Sequence, residues 1–116
     1  MIGIDLIKTD RMKRYIERFG NRGLAKFLSQ NEILLIKNYR TASGFWAAKE
    51  ACAKALGIGI GSECGFHDIH LSKTAKGAPL IDLSSHLKEA FGIQSLSVSI
   101  THDGEYAIAV VAIEKL

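Results

Sequence analysis

The sequence predicts an α+β fold in which helices pack on a mostly antiparallel sheet, and three features support this. Residues 95–101 alternate strictly between apolar and hydroxyl side chains, which is the period of a strand with one buried face. The pair Asp103-Gly104 then predicts a hairpin into a second apolar strand at 105–114. Apolar residues in the first half recur with helical spacing, and several of these runs end at a glycine. Helices and strands are therefore largely segregated along the chain, which is typical of the α+β class.

The first half of the chain predicts one strand and four helices. Residues 2–7 are apolar except for Asp5 and predict a short buried strand. Three helices begin at residues that can cap them, since their side chains can accept hydrogen bonds from the first helical turn. These caps are Thr9 or Asp10, Ser29 in a capping box with Glu32, and Ser43. The first predicted helix ends near Phe19, before Gly20, and a short second helix covers 22–28. The third ends near Tyr39 and the fourth before Gly57.

The second half predicts two hairpins separated by one short helix. The segment 57–61, GIGIG, follows the alanine-rich helix as a loop. Residues 66–72 and 79–83 predict strands joined by a turn at Lys76-Gly77. Ser84 or Ser85 can cap a helix that runs to Phe91, with Gly92 after it.

Length and composition predict a single domain over residues 1–116. The chain has a mass of 12.7 kDa, with 47% hydrophobic and 23% charged residues, which excludes global disorder. The sequence has no run of 18 or more apolar residues, so no membrane span is predicted. The first ten residues lack the features of a signal peptide. Two cysteines do not make a disulfide framework in a chain of this length. We therefore expect a reduced, cytoplasmic protein.

Positive charge is concentrated in the first third of the chain. Residues 1–40 contain nine basic and four acidic residues, a balance of +5, while the remaining residues contain six and eight, a balance of −2. Three of the early cations recur with helical spacing on one face, at Arg11, Arg14 and Arg18. This asymmetry indicates an anionic partner, although a solvated helix face would have the same pattern. Nucleic acid is not favoured, because no stacking aromatic residues are interleaved with these bases.

Two places in the predicted helices and strands carry unexpected charge. Asp5 lies in an apolar strand, where a carboxylate is costly to bury unless it pairs with a cation or ligates a metal. Glu50 and Lys54 share one side of the apolar fourth helix, and Lys49 lies next to that side. Two simpler interpretations stay open: Asp5 lies in water or beside a lysine, and Glu50–Lys54 is an exposed pair contributing about 0.3 kcal/mol.

A third candidate is the group Thr101-His102-Asp103 at the end of the alternating strand. A hydroxyl and an imidazole at a strand end suit phosphate binding or proton transfer, although a surface histidine beside a turn is the alternative. The other histidines have no zinc-type spacing with a cysteine, and GIGIG lacks the spacing of a phosphate-binding loop. Two carboxylates, two lysines and this group together indicate phosphoryl transfer with Mg²⁺.

Three segments of the chain also resemble the signature motifs of a known family. They are IGIDLIKTDR at 2–11, FWAAKEACAKALGIGIG at 45–61, and VSITHDGEY at 98–106, in the order in which the family carries them. The central segment is the most specific. Over nearly its whole length the chain is similar to holo-[acyl carrier protein] synthases, the short class of 4′-phosphopantetheinyl transferases.

The resemblance implies a reaction and a catalytic set. Such enzymes transfer the 4′-phosphopantetheine arm of coenzyme A to a serine of apo-acyl carrier protein, for fatty acid biosynthesis, and release adenosine 3′,5′-bisphosphate. By position, Asp5 and Glu50 would ligate Mg²⁺, and Lys54 would hold the pyrophosphate and stabilise the leaving group. The base that accepts the serine proton would be Glu50 or a metal-bound water, and the sequence does not choose between them.

The resemblance also implies contacts with coenzyme A, the carrier protein and further subunits. His102, with Thr101 beside it, would contact the 3′-phosphate end of the nucleotide, while Lys49 would lie at the cofactor pocket or support Glu50. The residues implied for coenzyme A are Lys49, Lys54, Gly57, Thr101 and His102, and those for carrier-protein docking are Arg11, Arg14 and Arg18. Short members of the family are homotrimers with sites between subunits, so Asp5 and Glu50 would lie on one subunit and His102 on a neighbour, or the converse.

The chain departs from the family pattern at one position. Phe45 stands where family members often carry a basic residue, and Arg40 is the only base in the segment NYRTASG before it. Contacts to the 3′-phosphate or adenine are therefore expected to be weaker or rearranged. Two other functions are alternatives: a basic, non-catalytic binding module, and a coenzyme A-binding regulator without activity. The presence of Asp5, Glu50 and Lys54 favours the enzyme, with no nucleic acid or membrane as partner.

Overall fold

The computed structural model describes residues 1–116 and confirms the predicted α+β class. None of its helices combines the length and apolarity that crossing a membrane requires. A turn of 3₁₀ helix at Phe66–Asp68 precedes the second strand. The helices and strands are β1 (Ile2–Lys8), α1 (Thr9–Ala25), α2 (Gln30–Ile33), α3 (Tyr39–Ala55), β2 (Ile69–Lys73), β3 (Pro79–Leu83), α4 (Ser85–Phe91), β4 (Ile93–Asp103) and β5 (Tyr106–Lys115).

The strands form two antiparallel sheets. The larger sheet has the order β1-β5-β4, so β1 and β4 are its two edges, and β2 and β3 form a separate hairpin. In the larger sheet Asp5 pairs with Ala109, and Ala109 pairs in turn with Ile100. Because strands lie about 4.8 Å apart, the two edges are separated by about 10 Å across the central strand.

Helix α3 crosses the inner face of this sheet and contacts all three of its strands. Small residues on both elements make this close packing possible, since Ala47, Ala51, Ala107 and Ala109 are fully buried. The closest approach is at Gly3 on β1, where an added Cβ would collide with the backbone of Ala51 and lie 2.6 Å from the amide nitrogen of Ala55. This contact sets β1 directly against α3.

Helix boundaries differ from the prediction in three places. Gly20, at φ 57°, divides α1 into two helical parts at a kink, as predicted, but the part after it ends at Ala25 and not at residue 28. The Ser29–Glu32 capping box forms as predicted, but α2 stops at Ile33 after one turn. Ser43 does not cap α3: the helix starts at Tyr39, because the Asn38 side chain accepts hydrogen bonds from the amides of Arg40 and Thr41. Asparagine is at least as good a cap as serine, so the helix begins after Asn38, the earlier of the two capping residues.

The hairpins follow the prediction more closely. Residues 66–68 form the 3₁₀ turn, and the strand expected from 66 begins at Ile69. Gly77 and Gly92 adopt positive φ at the predicted turn and helix end. The alternation along β4 is also confirmed, since Leu96, Val98 and Ile100 are half-buried while the hydroxyl residues between them are exposed.

The outer face of the larger sheet has no covering element within the chain. Its β1 side chains are large and apolar, with Ile2 73%, Ile4 58% and Leu6 55% exposed. The β4 side of the same face carries the exposed hydroxyl residues, including Ser97 and Ser99. A contiguous exposed apolar surface of this kind is typical of an interaction face.

Candidate active site

Asp5, Glu50 and Lys54 come together where β1 packs against α3. The Lys54 ammonium donates to Asp5 Oδ1 at 2.8 Å and to the carbonyl oxygen of Ile4 at 3.2 Å. Burial raises the pKa of Glu50, the negative charge of Asp5 raises it further, and Lys54 opposes this effect. Asp5 thus pairs with a lysine, as one interpretation of the sequence allowed, and also lies close enough to Glu50 for the two carboxylates to repel each other.

This arrangement has the donor set for a hard divalent cation. Two carboxylates share one ammonium, so the site carries an excess negative charge whose repulsion a cation would relieve. No third acidic, histidine or cysteine side chain completes a protein-only metal site. Two carboxylates suit Mg²⁺, which keeps waters and takes substrate phosphate oxygens as its remaining ligands.

Lys54 is placed to act on an anion beside these carboxylates. Its hydrogen bond to Asp5 raises its pKa, so the side chain stays a cation at neutral pH. About half of the side chain is exposed to solvent. The ammonium has three N–H groups and uses two of them on Asp5 and Ile4, so one remains to donate to a phosphate oxygen, whose charge the ammonium neutralises as a point charge.

His102 lies at the other edge of the sheet, away from the carboxylates. Its Nε2 is 2.9 Å from the carbonyl oxygen of Arg40 at the start of α3. The imidazole lines a cleft together with Thr41, Gly44 and Lys73, among others. Gly44 is required here, because a Cβ would lie 3.1 Å from His102 Nε2 and 2.8 Å from Ile100 Cγ2.

The structure does not group all the residues expected at coenzyme A. Thr101 follows the alternation of β4 and points to the outer face of the sheet, so it lies on the side opposite to His102. Gly57 is exposed at the end of α3 with φ 82°, where it ends the helix. Within one chain, the central strand β5 lies between His102 on β4 and Asp5 on β1.

Lys49 lies in the interior and not at an open pocket. Its side chain is 0% exposed, and its ammonium contacts Glu32 Oε1 at 2.8 Å. The same Nζ donates to the carbonyl oxygens of Phe27 at 2.8 Å and Phe66 at 3.1 Å. Burial lowers its pKa, while Glu32 opposes this effect. Direct contact with a solvent-borne cofactor, one of the two implied roles, is therefore incompatible with this structure.

The cations of α1 are all on the surface. Arg14 pairs with Asp10 at 2.9 Å and is otherwise exposed. The Arg18 guanidinium lies 5.1 Å from the ring centre of Phe19, an exposed aromatic side chain. Arg11 borders a shallow apolar cleft formed with Met12, Tyr15, Ile7 and Trp46. Basic side chains and exposed apolar groups thus occupy one surface.

Sequence reasoning missed two residues. The sequence predicts Glu32 as a helix cap only, yet it is 3% exposed and also binds Lys49. Its capping motif gave no sign of the second partner, 17 residues away. Lys73 enters the His102 cleft from β2, with Nζ 5.9 Å from the ring centre of Phe45. A cation therefore lies beside the position where the family's basic residue is replaced, and only the tertiary fold brings it there.

Known proteins match the chain in sequence and in structure. The model of the 4′-phosphopantetheinyl transferase superfamily matches residues 1–111. The holo-[acyl-carrier-protein] synthase of Sulfurimonas denitrificans is 63% identical over 98% of this chain and 94% of its own length. That of Wolinella succinogenes is 58% identical over 99% and 98%.

A solved structure has nearly the same backbone. The crystal structure of Helicobacter pylori holo-[acyl-carrier-protein] synthase in complex with coenzyme A has a TM-score of 0.95 and 49% identity, covering 98% of this chain and all of that one. The Neisseria meningitidis holo-[acyl-carrier-protein] synthase has a TM-score of 0.88 and 30% identity, covering 98% of this chain and 97% of that one. The resemblance inferred from the three motifs is thereby confirmed, and the chain belongs to the 4′-phosphopantetheinyl transferase superfamily.

Proposed function

We propose that this protein is a Mg²⁺-dependent holo-[acyl carrier protein] synthase. It transfers the 4′-phosphopantetheine arm of coenzyme A to a serine of apo-acyl carrier protein and releases adenosine 3′,5′-bisphosphate. The observation that carries the proposal is the convergence of Asp5, Glu50 and Lys54, which come from two separate motifs, at one solvent-facing place. The named relatives and the coenzyme A-bound neighbour support the same substrates.

Each residue of this group has a role in the transfer. The serine oxygen attacks the phosphorus that carries the pantetheine arm, the serine proton passes to Glu50 or to a water, and the bond from that phosphorus to the bridging oxygen of the nucleotide breaks. Asp5 and Glu50 would hold Mg²⁺, which supplies charge neutralisation for the pyrophosphate when bound. Lys54 donates to a pyrophosphate oxygen and stabilises the charge that develops on the leaving nucleotide. The nucleophile belongs to the substrate, so the chain needs no catalytic serine or cysteine.

Intact mass spectrometry of apo-acyl carrier protein tests the proposal. The carrier is incubated with this protein, coenzyme A and Mg²⁺, and a parallel sample contains EDTA. We expect the carrier to gain one phosphopantetheine arm in the first sample and none in the second. A competent carrier that gains no mass in either sample would refute the transferase, and a gain in both would refute the Mg²⁺ requirement.

We propose further that the active enzyme is a homotrimer whose sites lie between subunits. The uncovered apolar face that includes Ile2, Ile4 and Leu6 supports association of copies. The separation of His102 on β4 from Asp5 on β1 by the central strand β5 supports a site completed by a neighbouring subunit. Light scattering should then give three times the mass of the 12.7 kDa chain.

Mixed oligomers offer a direct test of the shared site. The variants Glu50→Gln and His102→Ala each remove one half of every site, so each alone should be impaired. If the halves come from different subunits, mixed oligomers contain intact sites, about a quarter of the total at equal amounts. After co-refolding, we expect activity of about a quarter of the wild-type value. Activity equal to the average of the two separate variants would place both halves within one chain.

The basic surface of α1 is the proposed docking site for the acidic carrier protein. The variant Arg14→Glu should raise KM for the carrier about tenfold and leave KM for coenzyme A unchanged, because charge reversal acts on docking. Lys115→Glu makes the same change of charge at the end of the sheet opposite to α1 and serves as control. Equal effects of Arg14→Glu on both KM values would show that α1 is not the docking surface.

The biological setting follows from the proposed reaction. A holo-carrier synthase would serve fatty acid biosynthesis in the cytoplasm, where coenzyme A and carrier protein are available. The buried, unpaired thiols of Cys52 and Cys64 are compatible with a reducing compartment. Residues 1–116 would form one transferase domain.

A further inference from the structure

A buried ion pair lies on the side of α3 that faces away from β1. Lys49 and Glu32 are 0% and 3% exposed and form the only salt bridge that is buried on both sides. The Lys49 ammonium uses all three of its N–H groups, on Glu32, Phe27 and Phe66. Glu32 uses both oxygens, since Oε1 also accepts from the Ser29 amide at 2.8 Å and Oε2 from the Leu71 amide at 2.7 Å.

Stability alone does not account for this pair. Removing two charges from water costs several kcal/mol for each ion, and apolar residues of similar volume often stabilise a protein as well or better. The hydrogen bonds of the pair instead fix the relative orientation of the segments that they connect. One Nζ atom connects α3 to the segment between α1 and α2, to α2 and to the segment before β2, and Glu32 extends the network to β2 itself. Every buried side-chain polar atom of the chain has a partner, so this geometry is fully satisfied.

Glu50 follows Lys49 directly on α3. Consecutive helix residues point about 100° apart, so Lys49 faces the interior while Glu50 faces Asp5. A rotation of α3 by about 20° would move a side-chain tip by about 2 Å. Displacements of about 1 Å can cost two orders of magnitude in rate. The Gly3 contact holds α3 on the β1 side, and the ion pair holds it on the other.

We propose that Lys49 and Glu32 are positioning residues, whose buried pair sets the rotation of α3 and so holds Glu50 beside Asp5. The proposal rests on the proposed function only in assigning a metal to those carboxylates. It predicts that weakening the pair lowers metal affinity and kcat, and leaves the KM for the carrier protein, which docks on α1, unchanged.

The main test uses the double variant Glu32→Gln with Lys49→Met. It removes both charges together, so no unpaired charge stays buried. Mn²⁺ binding in the presence of coenzyme A, without carrier protein, is measured by electron paramagnetic resonance and needs no turnover. We expect the Mn²⁺ dissociation constant to rise about tenfold and kcat to fall about 10- to 100-fold. A crystal structure should show the Asp5 and Glu50 carboxylates further apart.

Two further variants make the result decisive. Leu87→Ala removes a buried side chain on α4 that makes none of the network's hydrogen bonds, and should lower the unfolding temperature without changing Mn²⁺ affinity. If the double variant does not fold, Glu32→Asp keeps the charge but shortens its reach, and should weaken Mn²⁺ binding in the same direction. Wild-type Mn²⁺ affinity and kcat in the folded double variant, or wild-type affinity in Glu32→Asp, would overturn the proposal. A wild-type protein without transferase activity would instead refute the proposed function.

Discussion

The variant Glu50→Gln should reduce turnover by about 10³-fold while the oligomer persists. Glutamine has nearly the same shape as glutamate, so the core volume does not change, but it removes one of the two carboxylates that would hold Mg²⁺. The measurement is the rate of carrier modification at saturating Mg²⁺ and coenzyme A, with light scattering on the same sample. Wild-type turnover in this variant would refute the metal assignment.

The same variant should be at least as resistant to heat as the wild type at pH 7. Burial and Asp5 raise the pKa of Glu50 in the folded state above its ordinary value of 4.5. The folded state therefore holds this proton more tightly than the unfolded state. Its contribution to stability is complete below pH 4.5 and is lost as pH rises through the raised pKa. Glutamine does not ionise and avoids this loss.

Thermal unfolding without Mg²⁺ at two pH values tests whether Glu50→Gln stabilises the fold. The unfolding temperature of Glu50→Gln should exceed that of the wild type at pH 7, and the difference should shrink at pH 4. Glu63→Gln, at an exposed loop position, is the matched control and should show neither effect. A variant that unfolds earlier than the wild type at pH 7 would mean that the ionised carboxylate stabilises the fold.

The variant Gly3→Ala should lower the free energy of unfolding by about 3 kcal/mol. The new methyl group would collide with the backbone of Ala51 and Ala55, which cannot move aside as a flexible side chain can. Because β1 must then separate from α3, Asp5 moves away from Glu50, and activity should fall together with stability. Urea unfolding and the carrier-modification rate measure the two effects.

Gly61→Ala is the matched control for this change. An added Cβ at Gly61 has no atom within 4 Å, and its backbone does not require a positive φ. The control should therefore retain the stability of the wild type. If Gly3→Ala were as stable as Gly61→Ala, β1 and α3 would be able to separate without loss of stability. The close approach of β1 and α3 would then not hold the carboxylates together.

Local patterns in the sequence determined most of the secondary structure and the family. The strand alternation at 95–101, the hairpin predicted at Asp103-Gly104 and the Ser29–Glu32 capping box all appear in the structure, with Gly104 and Glu105 as the turn residues of the hairpin. These features depend on residues within a few positions of one another, so a linear reading can detect them. The errors occurred where two local signals competed, as at Asn38 and Ser43, because the relative strength of neighbouring caps is not visible in the spacing alone.

Only the tertiary structure decided which charged groups meet. Residues 49 positions apart form the Lys54–Asp5 pair, and Lys49 pairs with Glu32 in the interior although its neighbour Glu50 faces Asp5. Thr101 and His102 are adjacent in sequence, but the strand directs them to opposite faces of the sheet. Contacts of this kind depend on how α3 lies across the sheet. That arrangement is set by the close packing of Gly3 and the buried alanines, and by the cost of leaving any buried charge unpaired.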